Sequence, residues 1–179
     1  PGLGDDYWYP LYERLVELDV PALVHSAGCR SPREPYSVHF LNEENIAVVS
    51  LLSSNVFADF PKLKLIISHG GGAIPYQVGR YRSMWNRRQL PPFDECLRKL
   101  YFDTCLYNVE SLELLFKIVG VDRCLFGTEK PGIGSTRDRE SGNWLDDIKP
   151  MIDGLTILTD DDREKIYSEN AKCVFNLDL

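Results

Sequence analysis

Two spacings of apolar residues take turns along the chain, and each predicts a different element. Tyr9, Leu11, Tyr12, Leu15, Val16 and Leu18 recur at helical spacing, and Asp5 or Asp6 stands where a helix over residues 7–19 needs its N-cap. After Pro21 the pattern contracts to Ala22-Leu23-Val24-His25, ending in Ser26-Ala27-Gly28, as in a buried parallel strand that runs into a loop. Ile46, Val49, Leu52, Val56 and Phe57 make one apolar face of a helix predicted over residues 43–60, capped by Asn42 and stopped by Pro61. Leu63-Lys64-Leu65-Ile66-Ile67-Ser68-His69 reads as the next strand, and Gly70-Gly71-Gly72 lets the chain turn tightly into a helix over 75–88. The alternation continues with strands over 100–104 and 123–127 and helices over 109–119, 145–152 and 160–167.

Four short apolar strands separated by amphipathic helices specify a parallel α/β sheet with right-handed crossovers. The order fits half of a (β/α)8 barrel or a small open sheet. No linker or low-complexity stretch divides it, so residues 1–179 read as one structural unit.

Composition narrows the choice of partner. The chain holds 20 Lys and Arg against 27 Asp and Glu, a formal charge of −7, which runs against the basic surface that nucleic acid requires. At 44% hydrophobic and 26% charged residues the composition predicts a packed core rather than disorder. The apolar runs fall far short of the roughly 20 residues that span a bilayer, so no membrane partner is expected. The chain opens Pro-Gly-Leu-Gly-Asp-Asp, with neither an initiator Met nor a basic stretch ahead of an apolar core; no secretory signal is expected, and the start reads as cut. Cys29, Cys96, Cys105, Cys124 and Cys173 show no C-x-x-C spacing, which predicts buried free thiols in a reducing, cytoplasmic setting.

In parallel α/β folds, chemistry gathers at the carboxyl ends of strands. Here His25, His69 and Glu129 fall at three predicted strand ends, with Asp103-Thr104 at the fourth. Two imidazoles and a carboxylate are the donors that catalytic zinc takes, with one coordination position left for water. The triple glycine fits neither G-x-G-x-x-G nor G-x-x-x-x-G-K-[ST], so a steric role beside His69 is the better reading. Arg80, Arg82, Arg87 and Arg88 read as a solvated face or a subunit contact.

Three motifs carry a family resemblance. Ile67-Ser68-His69-Gly70-Gly71-Gly72-Ala73-Ile74-Pro75-Tyr76 with Arg80-Tyr81-Arg82 resembles the strand-six motif of the amidohydrolase-related, metal-dependent barrel family that includes aminocarboxymuconate semialdehyde and resorcylate-type decarboxylases. Leu125-Phe126-Gly127-Thr128-Glu129-Lys130-Pro131 is similar to its strand-eight motif, and Glu169-Asn170-Ala171-Lys172-Cys173-Val174-Phe175 to its closing helix. Glu129 stands where the decarboxylases usually carry Asp; with His39-Phe40-Leu41-Asn42 after the His25 strand, it points to the branch of 4-oxalomesaconate hydratase.

The resemblance implies that His25 is a metal ligand, Glu129 a ligand or proton acceptor, and His69 an acid/base residue. It also implies a divalent cofactor, zinc, and a small unsaturated oxo-polycarboxylate substrate to which water is added. A decarboxylase of the same family is the second expectation, and a catalytically silent module the third. The family's H-x-H pair on the first strand is missing, so the chain is expected to be the carboxyl half of a TIM barrel whose amino-terminal half supplies the other ligands. Substrate carboxylates need cationic or amide partners, for which His39, Asn42, Ser135 and Arg137 are the nearest candidates. Half a closed barrel should leave Val24, Ile66, Phe102 and Leu125 short of partners, which predicts a homo-oligomer or dependence on the other half.

Overall fold

The computed structural model describes residues 1–25 and 32–178. The predicted loop at Ser26-Ala27-Gly28 and the thiol of Cys29 lie outside the described residues. The Asp5 carboxylate accepts from the Tyr7 amide and caps a single 3-10 turn, Asp6–Trp8, that feeds α1 (Tyr9–Leu18). α1 stops at Asp19, whose left-handed backbone returns its amide to the carbonyls of Leu15 and Val16.

β1 (Ala22–Val24) is followed by α2 (Tyr36–Leu52), which starts seven residues before the predicted position. Pro35, extended at ψ 155, sets the start, because its ring fixes φ and it has no amide to lose at a helix entrance. Asn42 is therefore interior to the helix and caps nothing; its amide donates to Glu34 at 3.0 Å. The buried face also differs from the predicted one. Glu44, Ala47, Val48, Leu51 and Leu52 point inward, while Ile46 is 55% exposed. The helix is apolar on more than one side, so periodicity alone does not fix its rotation. At its end the Ser54 hydroxyl donates to the Leu51 carbonyl, and α3 (Val56–Asp59) forms a separate turn.

β2 (Leu65–Ile67) leads through a 3-10 turn, His69–Gly71, to α4 (Val78–Arg87). α5 (Phe93–Leu97), not expected from the pattern, follows Pro92 and buries Phe93, Cys96 and Leu97. Next come β3 (Tyr101–Asp103), α6 (Val109–Val119), β4 (Cys124–Leu125) and α7 (Ile148–Asp153). α7 begins three residues later than predicted, because the amides of Leu145 and Asp146 are held by the carbonyls of Thr136 and Gly134. Thr159 and Asp162 form a capping box for α8 (Asp160–Glu164), which continues through a π turn, Lys165–Glu169, into α9 (Asn170–Phe175).

The described strands form one parallel sheet in the order β1-β2-β3-β4, with Leu23 beside Ile66, Ile67 beside Phe102, and Phe102 beside Cys124. Side chains alternate across it. Leu65, Ile67, Phe102 and Cys124 face the main core with Leu51, Trp85, Leu97, Leu112, Leu115 and Ile148. Ile66 and Leu125 face the other way and meet Val174 of α9. The expected shortage of partners is thus confined: Phe102 lies among the helices, Ile66 and Leu125 are covered by α9, and Val24 is half-buried. What stays open are the two edge strands, β1 and β4, each paired with one strand among the described residues; β1 also leaves Leu23 58% exposed. Cys96, Cys105 and Cys124 are buried free thiols as expected, but Cys173 is exposed because α9 turns Val174 inward.

Two asparagines hold α9 in place. Buried Asn170 donates to the carbonyls of Val121 and Cys124, both at 2.7 Å, and Asn176 donates to the carboxylate and carbonyl of Asp19 at 2.7 and 3.1 Å. Replacing Asn170 by Ala strands two inward carbonyls, and each unsatisfied buried group costs about 1–3 kcal/mol. Urea unfolding of Asn170→Ala should therefore show a loss of at least about 1 kcal/mol; an unchanged midpoint would mean that water replaces the amide at no cost.

Candidate active site

Each strand hands its last residues to the same rim. His25 directly follows β1, Ser68 and His69 follow β2, and Glu129 lies four residues beyond β4. One donor atom from each of His25, His69 and Glu129 can be chosen so that all three lie within 4.8 Å of one another. The imidazoles meet edge to face at 5.0 Å between centroids, and His69 Nε2 lies 3.5 Å from Glu129 Oε1. His25 is exposed, the Glu129 side chain is 28% exposed, and His69 is only 11% exposed.

Two of these residues carry backbone strain. His69 has φ 50 and Glu129 has φ 58, left-handed values that are unfavourable for residues with a Cβ and that cost of order 1–3 kcal/mol. Strain of this kind persists only where the surroundings enforce it. For His69 the enforcement is visible: the Asp103 carboxylate accepts from the amides of Gly70 and Cys105 at 3.0 and 3.1 Å. Asp103 therefore buttresses the turn. Thr104 does similar work for the next loop, donating to the Gly127 carbonyl at 3.1 Å and accepting its amide at 3.0 Å. The fourth strand end, read from sequence as part of the polar set, is scaffold for the other three.

Each of the two inner groups is also gripped from behind. His69 Nδ1 lies 2.5 Å from Oε1 of Glu44, a carboxylate with no exposed surface, and the Tyr107 hydroxyl donates to Glu129. Burial by itself would lower the His69 pKa, but the hydrogen bond to Glu44 and the charges of Glu44, Asp103 and Glu129 overcome it and push the value up to about 9. Desolvation raises the Glu44 carboxyl. Burial, followed by the bond to Glu129, raises the Tyr107 hydroxyl, and burial raises the Cys105 thiol.

A cavity of about 680 Å³ opens over the cluster, walled by His25, His69 and Glu129 with Phe40, Tyr107 and Ile133 among others. His39, Asn42, Ser135 and Arg137 are not part of this wall. His39 sits in α2, not in a loop, with its ring against Phe40 and 3.8 Å from Glu34. Ser135 donates to Asp146 at 2.5 Å, and Arg137 donates to the Gly142 carbonyl and lies over the Trp144 ring at 4.6 Å. The residues that sequence reasoning passed over are Glu44 and Tyr107. Glu44 left a signal, an acid in register with Ala47, Val48, Leu51 and Leu52. Tyr107 left none, since its bond to Glu129 spans 22 positions.

Comparison with known proteins agrees with the fold. Residues 1–177 match the family described as amidohydrolase. A 2-keto-4-carboxy-3-hexenedioate hydratase of Sphingobium sp. is 41% identical over 98% of this chain and 52% of its own length. The crystal structure of 4-oxalomesaconate hydratase from Rhodopseudomonas palustris superposes with a TM-score of 0.88 at 37% identity, over 98% of this chain and 52% of that one. A dihydroxybenzoic acid decarboxylase from Polaromonas sp., solved with bound manganese, shares the fold at a TM-score of 0.76 and 23% identity, over 99% of this chain and 56% of that one. The chain spans about half the length of the curated relatives it matches, and its four parallel strands with flanking helices correspond to half of such a TIM barrel. This chain belongs to the amidohydrolase family.

Proposed function

We propose that this chain carries the carboxyl-terminal part of a metal-dependent hydro-lyase site that adds water to a small unsaturated oxo-polycarboxylate. The observation that carries the reading is the convergence of His25, His69 and Glu129 at one rim, in a chain so similar to two hydratases. Two imidazole nitrogens and a carboxylate oxygen are a donor set that zinc accepts, and manganese tolerates the same types. His25 and Glu129 are the proposed ligands, zinc the proposed ion, and the remaining half of the barrel the source of further ligands. A divalent cation held there supplies Lewis acidity, polarising a substrate oxygen and lowering the pKa of water.

The chain's own residues supply the proton chemistry. Glu129, oriented by Tyr107, accepts a proton from the attacking water as the carbon–oxygen bond forms. His69 gives a proton from Nε2 to the adjacent carbon, completing the addition across the double bond. The two groups lie 3.5 Å apart, close enough for the proton to pass back and reset both for the next turnover. Phe40, Leu41 and Ile133 give the cavity an apolar wall that limits water to the reacting face. Substrate carboxylates are assigned to the rim: His39 adjoins the lining residue Phe40, Ser135 lies two residues beyond Ile133, and Asn42 and Arg137 follow on the same two segments. The free thiols fit a reducing compartment such as the cytoplasm, and the open edges of β1 and β4 fit assembly with the other half barrel in a homo-oligomer.

Two measurements on the full-length protein test this reading. Glu129→Gln should lower turnover of 4-oxalomesaconate, followed by its ultraviolet absorbance, by about 10²–10⁴-fold while the melt stays cooperative; unchanged turnover would assign Glu129 to structure. Metal analysis should find a tightly held divalent ion, and His25→Ala should weaken its binding roughly 10-fold or more. Full activity after exhaustive chelation would overturn the metal assignment.

A further inference from the structure

The face that α2 turns inward is apolar at Ala47, Val48, Leu51 and Leu52, yet one turn earlier it carries the carboxylate of Glu44. Glu44 has no exposed surface, and a charge so placed is costly unless it is paired. Its Oε1 meets His69 Nδ1 at 2.5 Å, while Oε2 has no hydrogen-bond partner among the described residues. For packing alone, an apolar side chain of similar volume would serve as well or better. The fold also makes room for this contact. Gly72 has φ +62, and a Cβ on it would lie 2.7 Å from the Leu41 carbonyl and 3.5 Å from Glu44 Oε2. Bare backbone at 72 lets the first half of α2 lie against the turn that carries His69.

The partner of one imidazole nitrogen decides what the other can offer. With Nδ1–H given to Glu44, the nitrogen left for chemistry is Nε2, which faces Glu129 Oε1. We infer that Glu44 is a positioning residue that holds the Nδ1 proton and the direction of the His69 ring, so that Nε2 is presented to the cavity beside Glu129 and His25. The inference rests on the reading of His69 as the proton donor. Glu44 is not part of the cavity wall, so it acts through His69 and not on substrate. Its counterpart is Tyr107, which holds Glu129 from the other side.

The test uses full-length protein carrying Glu44→Gln and, separately, Glu44→Leu. Both should fold, and Glu44→Leu should melt no lower than the wild type, because a buried charge has been replaced by a packed apolar group. Turnover should nevertheless fall by about 10–100-fold in both, the range for groups that orient a reacting side chain from behind, with KM little changed. Nitrogen-15 spectra of the imidazoles, with His69 assigned by comparison with His69→Gln, should show a downfield Nδ1–H resonance in the wild type that moves upfield in Glu44→Gln and is lost in Glu44→Leu. A wild-type Nδ1 signal in Glu44→Leu, or wild-type turnover in both variants, would overturn the inference. If the wild-type protein hydrates no oxo-polycarboxylate, the hydratase reading fails, while the imidazole spectra still decide whether Glu44 holds His69.

Discussion

From His69 to Gly72 the backbone runs through four consecutive positive φ values, 50, 58, 81 and 62, and nearly every contact of the site is arranged around this turn. Such a path has few stable alternatives, since it cannot relax toward helix or strand without leaving its anchors. The Gly70 amide is fixed by Asp103. Gly71 sits so close to the Phe102 ring that a Cβ would approach it to 2.8 Å, which seats the turn on the core of the sheet. Gly72 admits the Leu41 carbonyl at a distance that no side chain would allow. Each glycine thus makes room for a different neighbour, and together they lock a histidine into an unfavourable conformation.

Rigid support explains how a cluster this polar can stand above an apolar sheet. His69 is trapped between Glu44 behind it and Glu129 in front, and Glu129 is trapped in turn by Tyr107. The loop after Glu129 is tied down independently. Buried Asp146 gathers the Ser135 hydroxyl at 2.5 Å and the Lys130 ammonium at 3.4 Å, and Lys130 and Arg137 both lie over the Trp144 ring. The polar groups of the rim are therefore held in place by the fold itself.

The architecture was open to a sequence reader because strands buried on both faces read as short apolar runs, and four such runs appear at regular intervals. His25, His69 and Glu129 were legible for a related reason: in a parallel sheet, a polar residue just past an apolar run must emerge at the carboxyl rim. The rotation of α2 was not legible. Ile46 and Val49 compete with Ala47, Val48 and Leu51 for the core, and only the tertiary packing decides between them. Asn42 has the chemistry of a cap, but Pro35 upstream sets the entrance. Ser135 and Arg137 were legible only as residue types; the bonds their polar atoms make within their own loop were not.

The bond from Asn176 to Asp19 joins positions 157 apart in the chain. Closing so long a loop costs more entropy than the local turns do, and nothing returns that cost until the intervening strands are ordered. This bond is for that reason expected to close only after the sheet exists, whereas the Asn170 bonds of the same helix span fewer than 50 positions. The bond sets the C-cap of α1 beside the C-cap of α9, on the approach to the amino end of β1 and away from the rim where His25, His69 and Glu129 meet.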